Sequence, residues 1–211
     1  MKIVCISDTH LRQVKVPDGD VLIHAGDATF QGTANEIREF SKWFGTLPHK
    51  HKIFVAGNHD WGFQMQRSAA VGLLPAGCHY LEDSGVTIDG VRFWGSPWQP
   101  WFLSWAFNLP RGEALQKHWD LIPADTDVLV THSPPYGIGD WVARGENVGC
   151  EDMMKAVERV KPKLHVFGHI HGGYGQYQPG ETLFVNASVC DEGYNPTNPP
   201  VVVTVDSRGA K

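Results

Sequence analysis

The 211-residue sequence has no run of roughly 18 to 20 consecutive apolar residues, so no membrane-spanning helix is expected. It lacks clustered cysteine: Cys5, Cys78, Cys150 and Cys190 stand far apart, without the short paired spacing of a zinc knuckle or a redox dithiol, and read as buried reduced thiols. It also lacks an excess of positive charge. Against 18 Lys and Arg stand 23 Asp and Glu, a net charge of −5 that leaves no footprint for the attraction dominating nonspecific nucleic-acid binding. Internal repeats and low-complexity tracts are absent. The opening Met-Lys-Ile-Val-Cys-Ile-Ser-Asp runs into a strand and carries Asp8, unlike a signal peptide, so a reducing, cytoplasmic setting is expected. What is present is a hydrophobic fraction of 42% with eight Trp and ten Phe, which argues for a packed core, and a length that suits one domain over residues 1–211.

The pattern along the chain is α/β. Ile3, Val4, Cys5 and Ile6 form a continuous apolar run, the mark of a strand buried on both faces, over Lys2–Ser7. Further strands are expected at Val21–His24, Lys52–Ala56, Thr126–Thr131, Leu164–Phe167, Thr182–Val185 and Val201–Val205. Asp89-Gly90 between Val86-Thr87-Ile88 and Val91-Arg92-Phe93 predicts a hairpin. Thr33 with Glu36 three residues on is a capping box, and Ile37, Phe40, Trp43, Phe44 and Leu47 follow at helical spacing. A second helix is expected from near Gly112, with Leu115, Trp119 and Leu121 inward. A third covers Glu151–Val160, with Met153 and Met154 as core fillers. The Gly/Pro-rich region Gly172–Gly180 and the turn Asn195–Pro200 read as loops, and Pro97–Pro110, rich in Trp, reads as a packed loop.

Polar residues gather where these strands end, the position at which α/β sheets place their sites. Asp8 and His10, one residue apart, share a face in extended backbone and can approach one ion. Asp27 follows the second strand, where an aspartate serves equally to cap backbone amides. Asn58 after Gly57 offers a neutral oxygen to a metal, whereas His59 can donate a proton to developing charge, and Gly57 permits an unusual backbone or close packing. His132 follows the strand expected at Thr126–Thr131, and His169 and His171 repeat the one-residue spacing. Each histidine alone is more often an ordinary hydrogen-bonded side chain. Seven ligand-capable residues at five strand exits call for a metal centre, and their mixture of imidazole and oxygen suits Mn²⁺, Fe, Zn²⁺ or Ni²⁺ better than Mg²⁺ or Ca²⁺.

The ordered set Asp8-x-His10, Gly26-Asp27, Gly57-Asn58-His59-Asp60, Thr131-His132 and Gly168-His169-x-His171 resembles the calcineurin-like metallophosphoesterase superfamily. Similarity to its metallophosphoesterase-domain-containing phosphodiesterase group extends through Gly95-Ser96-Pro97-Trp98, Phe107-Asn108-Leu109-Pro110 and Asn186-Ala187-Ser188. The resemblance implies a four-layer sandwich, two central mixed β-sheets flanked by helices. It implies Asp8, His10, Asp27 and His171 on one metal, with Asp27 bridging to a second held also by Asn58, His132 and His169. His59 would face the scissile phosphate, its ring oriented by Asp60 or a nearby carbonyl. Leu11 departs from the pattern, standing where many members have glycine.

The chemistry implied is attack on phosphorus by a metal-bound hydroxide, with His59 stabilising or protonating the leaving oxygen. The expected substrate is a small phosphodiester, cyclic or acyclic nucleotides included. A phosphomonoesterase and a weakly active metal-bound scaffold are the alternatives; the acidic balance lowers a nuclease reading, and no protein partner can be named. Trp98–Phe107 forms either an aromatic wall for a flat leaving group or, the favoured reading, packing against the sheet. Arg111 and Arg144 are available to phosphate or to surface ion pairs, and Asn147 and Asn186 are equally open.

Overall fold

The computed structural model describes residues 1–206. Its first sheet has five strands in the order Val201–Thr204, Lys2–Ile6, Val21–Ala25, His51–Val55, Cys78–Tyr80, parallel except where Val201–Thr204 runs against Lys2–Ile6. The second has six, in the order Gly175–Tyr177, Leu183–Asn186, Leu164–Phe167, Val128–Thr131, Val91–Ser96, Ser84–Ile88, with antiparallel pairs at both edges.

Side-chain alternation explains the layering. Ile3 and Cys5 of the first strand face inward with Ile23, Ile53 and Val55, and meet Phe93, Val128, Val130 and Val166 of the second sheet in one core. Val4 and Ile6 face outward, onto Ile37, Phe40 and Phe44 of the helix Ala34–Thr46. On the far side of the second sheet, Leu129, Phe167 and Phe184 pack against Leu115 and Trp119 of the helix Glu113–Trp119 and against Met153, Val157 and Val160 of the helix Glu151–Val160. Helix, sheet, sheet, helix is the four-layer α/β sandwich expected from the sequence.

The Thr33–Glu36 capping box forms, the hydroxyl accepting from the Glu36 amide and the carboxylate from the Thr33 amide. At the Asp89-Gly90 turn both residues have positive φ, +46° and +79°, as a two-residue hairpin of this hand requires. Several expectations are corrected. Ser7 leaves the first strand to bridge to Ser188. The region expected to be loop after Gly172 holds part of a 3₁₀ turn, His171–Gly173, and the edge strand Gly175–Tyr177. Leu121 lies beyond its helix and is exposed, because the chain turns at Asp120. Two short helices, Trp61–Met65 and Arg67–Val71, follow the Asn58 loop where no periodicity announced them. No helix among the described residues is long and apolar enough to cross a membrane.

Candidate metal centre

The parallel strands Lys2–Ile6, Val21–Ala25, His51–Val55, Val128–Thr131 and Leu164–Phe167 release their chains toward one end of the sandwich, and all seven candidate ligands converge there. Three groups of ligand atoms each come within 4.8 Å of one another: Asp8, His10 and His171; His10, Asp27 and His59; and Asp27, His132 and His169. Asp27 belongs to two of them. Its Oδ2 lies 3.3 Å from His132 Nε2 and 3.9 Å from the Nε2 atoms of both His10 and His59. Asn58 Oδ1 joins the second side, 3.0 Å from His132 Nε2, and Asp8 Oδ1 lies 3.4 Å from His171 Nε2 on the first.

The backbone is strained to achieve this. Asp8, His10, Asp27 and His169 all have positive φ, between +42° and +67°. Such a conformation costs about 1–3 kcal/mol at a non-glycine residue and persists only where the surroundings impose it. Leu11 shares it at φ +62°, which explains why a glycine fits that place. Gly57 has ordinary φ but no space: a Cβ there would lie 2.2 Å from Asp27 Oδ1. Of the two uses expected of this glycine, close packing is the one realised.

Four imidazoles are oriented in the same way. Nδ1 of His10 faces the Thr29 carbonyl at 3.1 Å, that of His59 the Phe30 carbonyl at 2.8 Å, that of His132 the Ala25 carbonyl at 2.9 Å, and that of His171 the Asp191 carbonyl at 2.8 Å. A carbonyl only accepts, so Nδ1 carries a proton in each ring and Nε2 is the atom turned to the centre, the orientation that metal-binding histidines use. These carbonyls carry no signal in a sequence, since any residue supplies one. His59 thus takes its orientation from Phe30 rather than from Asp60. The Asp60 carboxylate instead accepts from the amides of Ala28, Thr29 and Gly57 and from the Thr29 hydroxyl.

The site is built for positive charge. Burial alone would lower His132, but Asp27, Asp8 and the Ala25 carbonyl outweigh it and raise it to about 9. His171 rises to about 9 in the same way, burial opposing and Asp8 prevailing. Against the pull of their own burial, Asp8 and Asp27 are held below the usual carboxylate range by these histidines. His169, with burial foremost and the His132 charge next, falls to about 4. His10 Nε2 is buried without a hydrogen-bond partner among the described residues, although Asp8, Asp27, His59 and His171 converge beside it. An orphaned lone pair facing two carboxylates fits a cation, and none of the candidate ligand groups among the described residues includes cysteine, the usual donor of structural zinc.

A cavity of about 390 Å³ opens over the centre, lined by Asp27, Asn58, His59, Trp105, His171 and Tyr194 among others. It adjoins a second of about 610 Å³, with which it shares Phe102, Val142, His169 and Ile170. The aromatic loop is therefore divided. Trp98 is pinned by its indole N–H to Asp83, and Phe107 is buried, whereas Trp101 is 64% exposed and Phe102 47%, beside the cavities. Packing alone does not describe it. Arg111 also lines the larger cavity, though its guanidinium donates to the carbonyls of Val148 and Gly149; Arg144 pairs with Glu146, and Asn147 lies nearby. Asn186 donates to the Ile170 carbonyl and braces the His171 turn rather than entering the cavity. Trp105, within the loop read from the sequence as wall or packing, sets its ring against His59 with centroids 4.1 Å apart and planes tilted by 33°; Tyr194 was not singled out, because an aromatic residue in an irregular loop announces packing and contact alike.

The sequence model of the calcineurin-like phosphoesterase family matches residues 1–173. The chain belongs to that family. The human metallophosphoesterase domain-containing protein 1 is 47% identical over 96% of this chain and 70% of its own. A Caenorhabditis elegans relative, UPF0046 protein K07C11.7, is 42% identical over 99% of this chain and 76% of its own. A solved structure only 17% identical superposes with a TM-score of 0.66, covering 88% of this chain and 89% of that one, which supports the fold alone. A calcineurin-like phosphoesterase with a cluster of potential metal ligands at its strand ends is thus consistent from sequence to geometry.

Proposed function

We propose that the chain hydrolyses phosphodiesters with two transition-metal ions, one held by Asp8, His10, Asp27 and His171 and the other by Asp27, Asn58, His132 and His169. The observation that carries this reading is Asp27, whose single Oδ2 faces imidazoles of both ligand sets. When bound, the ions would activate water and draw charge from the phosphoryl oxygens. Manganese and iron suit the nitrogen and oxygen donors best, with zinc or nickel able to replace them.

His59 supplies the proton. Its Nδ1–H is committed to the Phe30 carbonyl, so Nε2, at the cavity wall, is the atom through which a proton would reach the leaving oxygen. Trp105 against the ring limits its rotation. Because the Nε2 atom also converges with His10 and Asp27, proton donor and metal ligand must be separated by experiment. Replacing His59 with Ala is expected to lower kcat about 100-fold or more while leaving two metals per chain. Loss of a metal would make it a ligand, and unchanged turnover would remove it from the reaction.

The two adjoining cavities favour diesters over monoesters, since they leave room for a substituent on either side of phosphorus. The test couples metal analysis to hydrolysis of bis(p-nitrophenyl) phosphate and p-nitrophenyl phosphate under matched Mn²⁺, Fe²⁺, Zn²⁺ and Ni²⁺. Faster turnover of the diester with two bound ions is expected. A single ion throughout turnover, or no hydrolysis of either ester, would overturn the reading.

A further inference from the structure

The loop after the strand partner Ser188 closes tightly on itself. Asp191 Oδ1 accepts the amides of Gly193 and Asn195, each at 2.9 Å, and the Asp191 amide donates to the Asn195 carbonyl at 2.8 Å. The Asp191 carbonyl then accepts twice, from the Tyr194 amide at 2.9 Å and from His171 Nδ1 at 2.8 Å. Both its lone pairs are used. The atom that fixes one candidate ligand's tautomer also fixes the backbone of Tyr194.

That backbone is left-handed, φ +60°, as at Asp8, His10, Asp27 and His169. Gly193 is the neighbouring residue that could adopt such a conformation freely, yet the chain places a bulky side chain there. The ring it carries stands edge-on to the histidines, with centroids 4.7 Å from His10 and 5.5 Å from His171, and lies 6.4 Å from His59. Tyr194 lines the cavity over the centre, 36% exposed, and its hydroxyl has no hydrogen-bond partner among the described residues. Packing accounts for the ring. It does not account for a polar end left at the cavity.

We propose that Tyr194 is a further catalytic residue: its phenolic O–H donates a hydrogen bond to a non-bridging oxygen of the phosphate bound beside His10 and His171. This rests on the phosphoesterase reading above. The role differs from that of His59, which serves the leaving oxygen. The non-bridging oxygens of an ionised phosphodiester are acceptors only, and a fixed neutral donor is worth most where charge accumulates in the transition state. No proton changes hands and no covalent bond forms at Tyr194.

The test compares metal-loaded Tyr194→Phe and Tyr194→Ala with the unaltered protein. Tyr194→Phe keeps the ring against His10 and His171, so two metals per chain and an unchanged Tm are expected. Its affinity for inorganic phosphate, measured by calorimetry, is expected to fall about 10-fold and kcat for the diester about 10- to 100-fold, the scale of one lost hydrogen bond to a charged group or oxyanion. Tyr194→Ala is expected to lose metal as well. If Tyr194→Phe binds phosphate and turns over as the unaltered protein does, with only Tyr194→Ala impaired, the residue is packing and the proposal is overturned. Should the unaltered protein hydrolyse no ester, the phosphoesterase reading fails by itself and phosphate calorimetry still decides on Tyr194: a weakened Tyr194→Phe supports the contact, an equal one removes it.

Discussion

Asp60 shows how little of a site's construction lies in the residues that meet its ligands. Its carboxylate is fully buried and gathers four donors: the amides of Ala28, Thr29 and Gly57 and the Thr29 hydroxyl. Burial first, then the charge of Asp27, push it up to about 6, while these donors favour its ionised form. The effect is to tie the loop carrying Asp27 to the loop carrying Asn58 and His59. In Asp60→Asn the amide NH₂ would confront N–H groups that need an acceptor. A loss of about 1–3 kcal/mol is expected, read from the urea midpoint, together with weaker metal retention. Retained stability and full metal content would show that the two loops hold their places without it. The sequence made Asp60 visible as part of a block with His59 but pointed to the imidazole as a possible partner, because only folding reveals that Thr29 is nearer to its oxygens than the ring is to its purpose.

At the scale of elements, legibility followed burial. Apart from Lys2 at the start, Lys2–Ile6, Val21–Ala25 and Leu164–Phe167 are buried on both faces, and their apolar runs, interrupted only by His24 and His165, could be read directly. Cys78–Tyr80 and Gly175–Tyr177 are three-residue edge strands, half-buried apart from the exposed Gln176, too short and too mixed to show a period. Trp61–Met65 and Arg67–Val71 lack side-chain caps and exist because the loops around them fix the chain. The helix Ala34–Thr46 is the opposite case, marked at its start by Thr33 and Glu36 and along its length by Ile37, Phe40 and Phe44. Because its cap bonds form as the local sequence dictates, Thr33→Ala is expected to cost ~1 kcal/mol, seen as a lower denaturation midpoint with an unchanged urea dependence. A shift of no more than a few tenths would mean that packing on the sheet, not the cap, starts this helix.

Across the whole molecule the candidate ligands divide between the sheets. Asp8, His10, Asp27 and Asn58 follow strands of the five-stranded sheet, whereas His132, His169 and His171 follow strands of the six-stranded one. The two come together closely at this end: a Cβ on Gly168 would lie 2.0 Å from Asp8 Oδ2, and the Ser7 amide donates to the Ala187 carbonyl across the junction. Cations held by both sets would therefore join the layers as well as serve chemistry, and binding confined to the folded state stabilises it by RT ln(1 + [L]/Kd), ~2.7 kcal/mol at one hundred times Kd. At about 2–4 °C per kcal/mol for a chain of this size, stripping the metals with dipicolinate is expected to lower Tm by roughly 5–10 °C, and readdition of Mn²⁺ to restore it. Asp27→Asn supplies the control. An amide cannot offset the charge of two cations as the carboxylate does, so the difference in Tm between loaded and stripped protein should shrink markedly in this variant. A Tm indifferent to verified metal loss would mean that the two sheets are held together by their shared apolar core alone, and that the ligand loops meet without bearing on the junction between them.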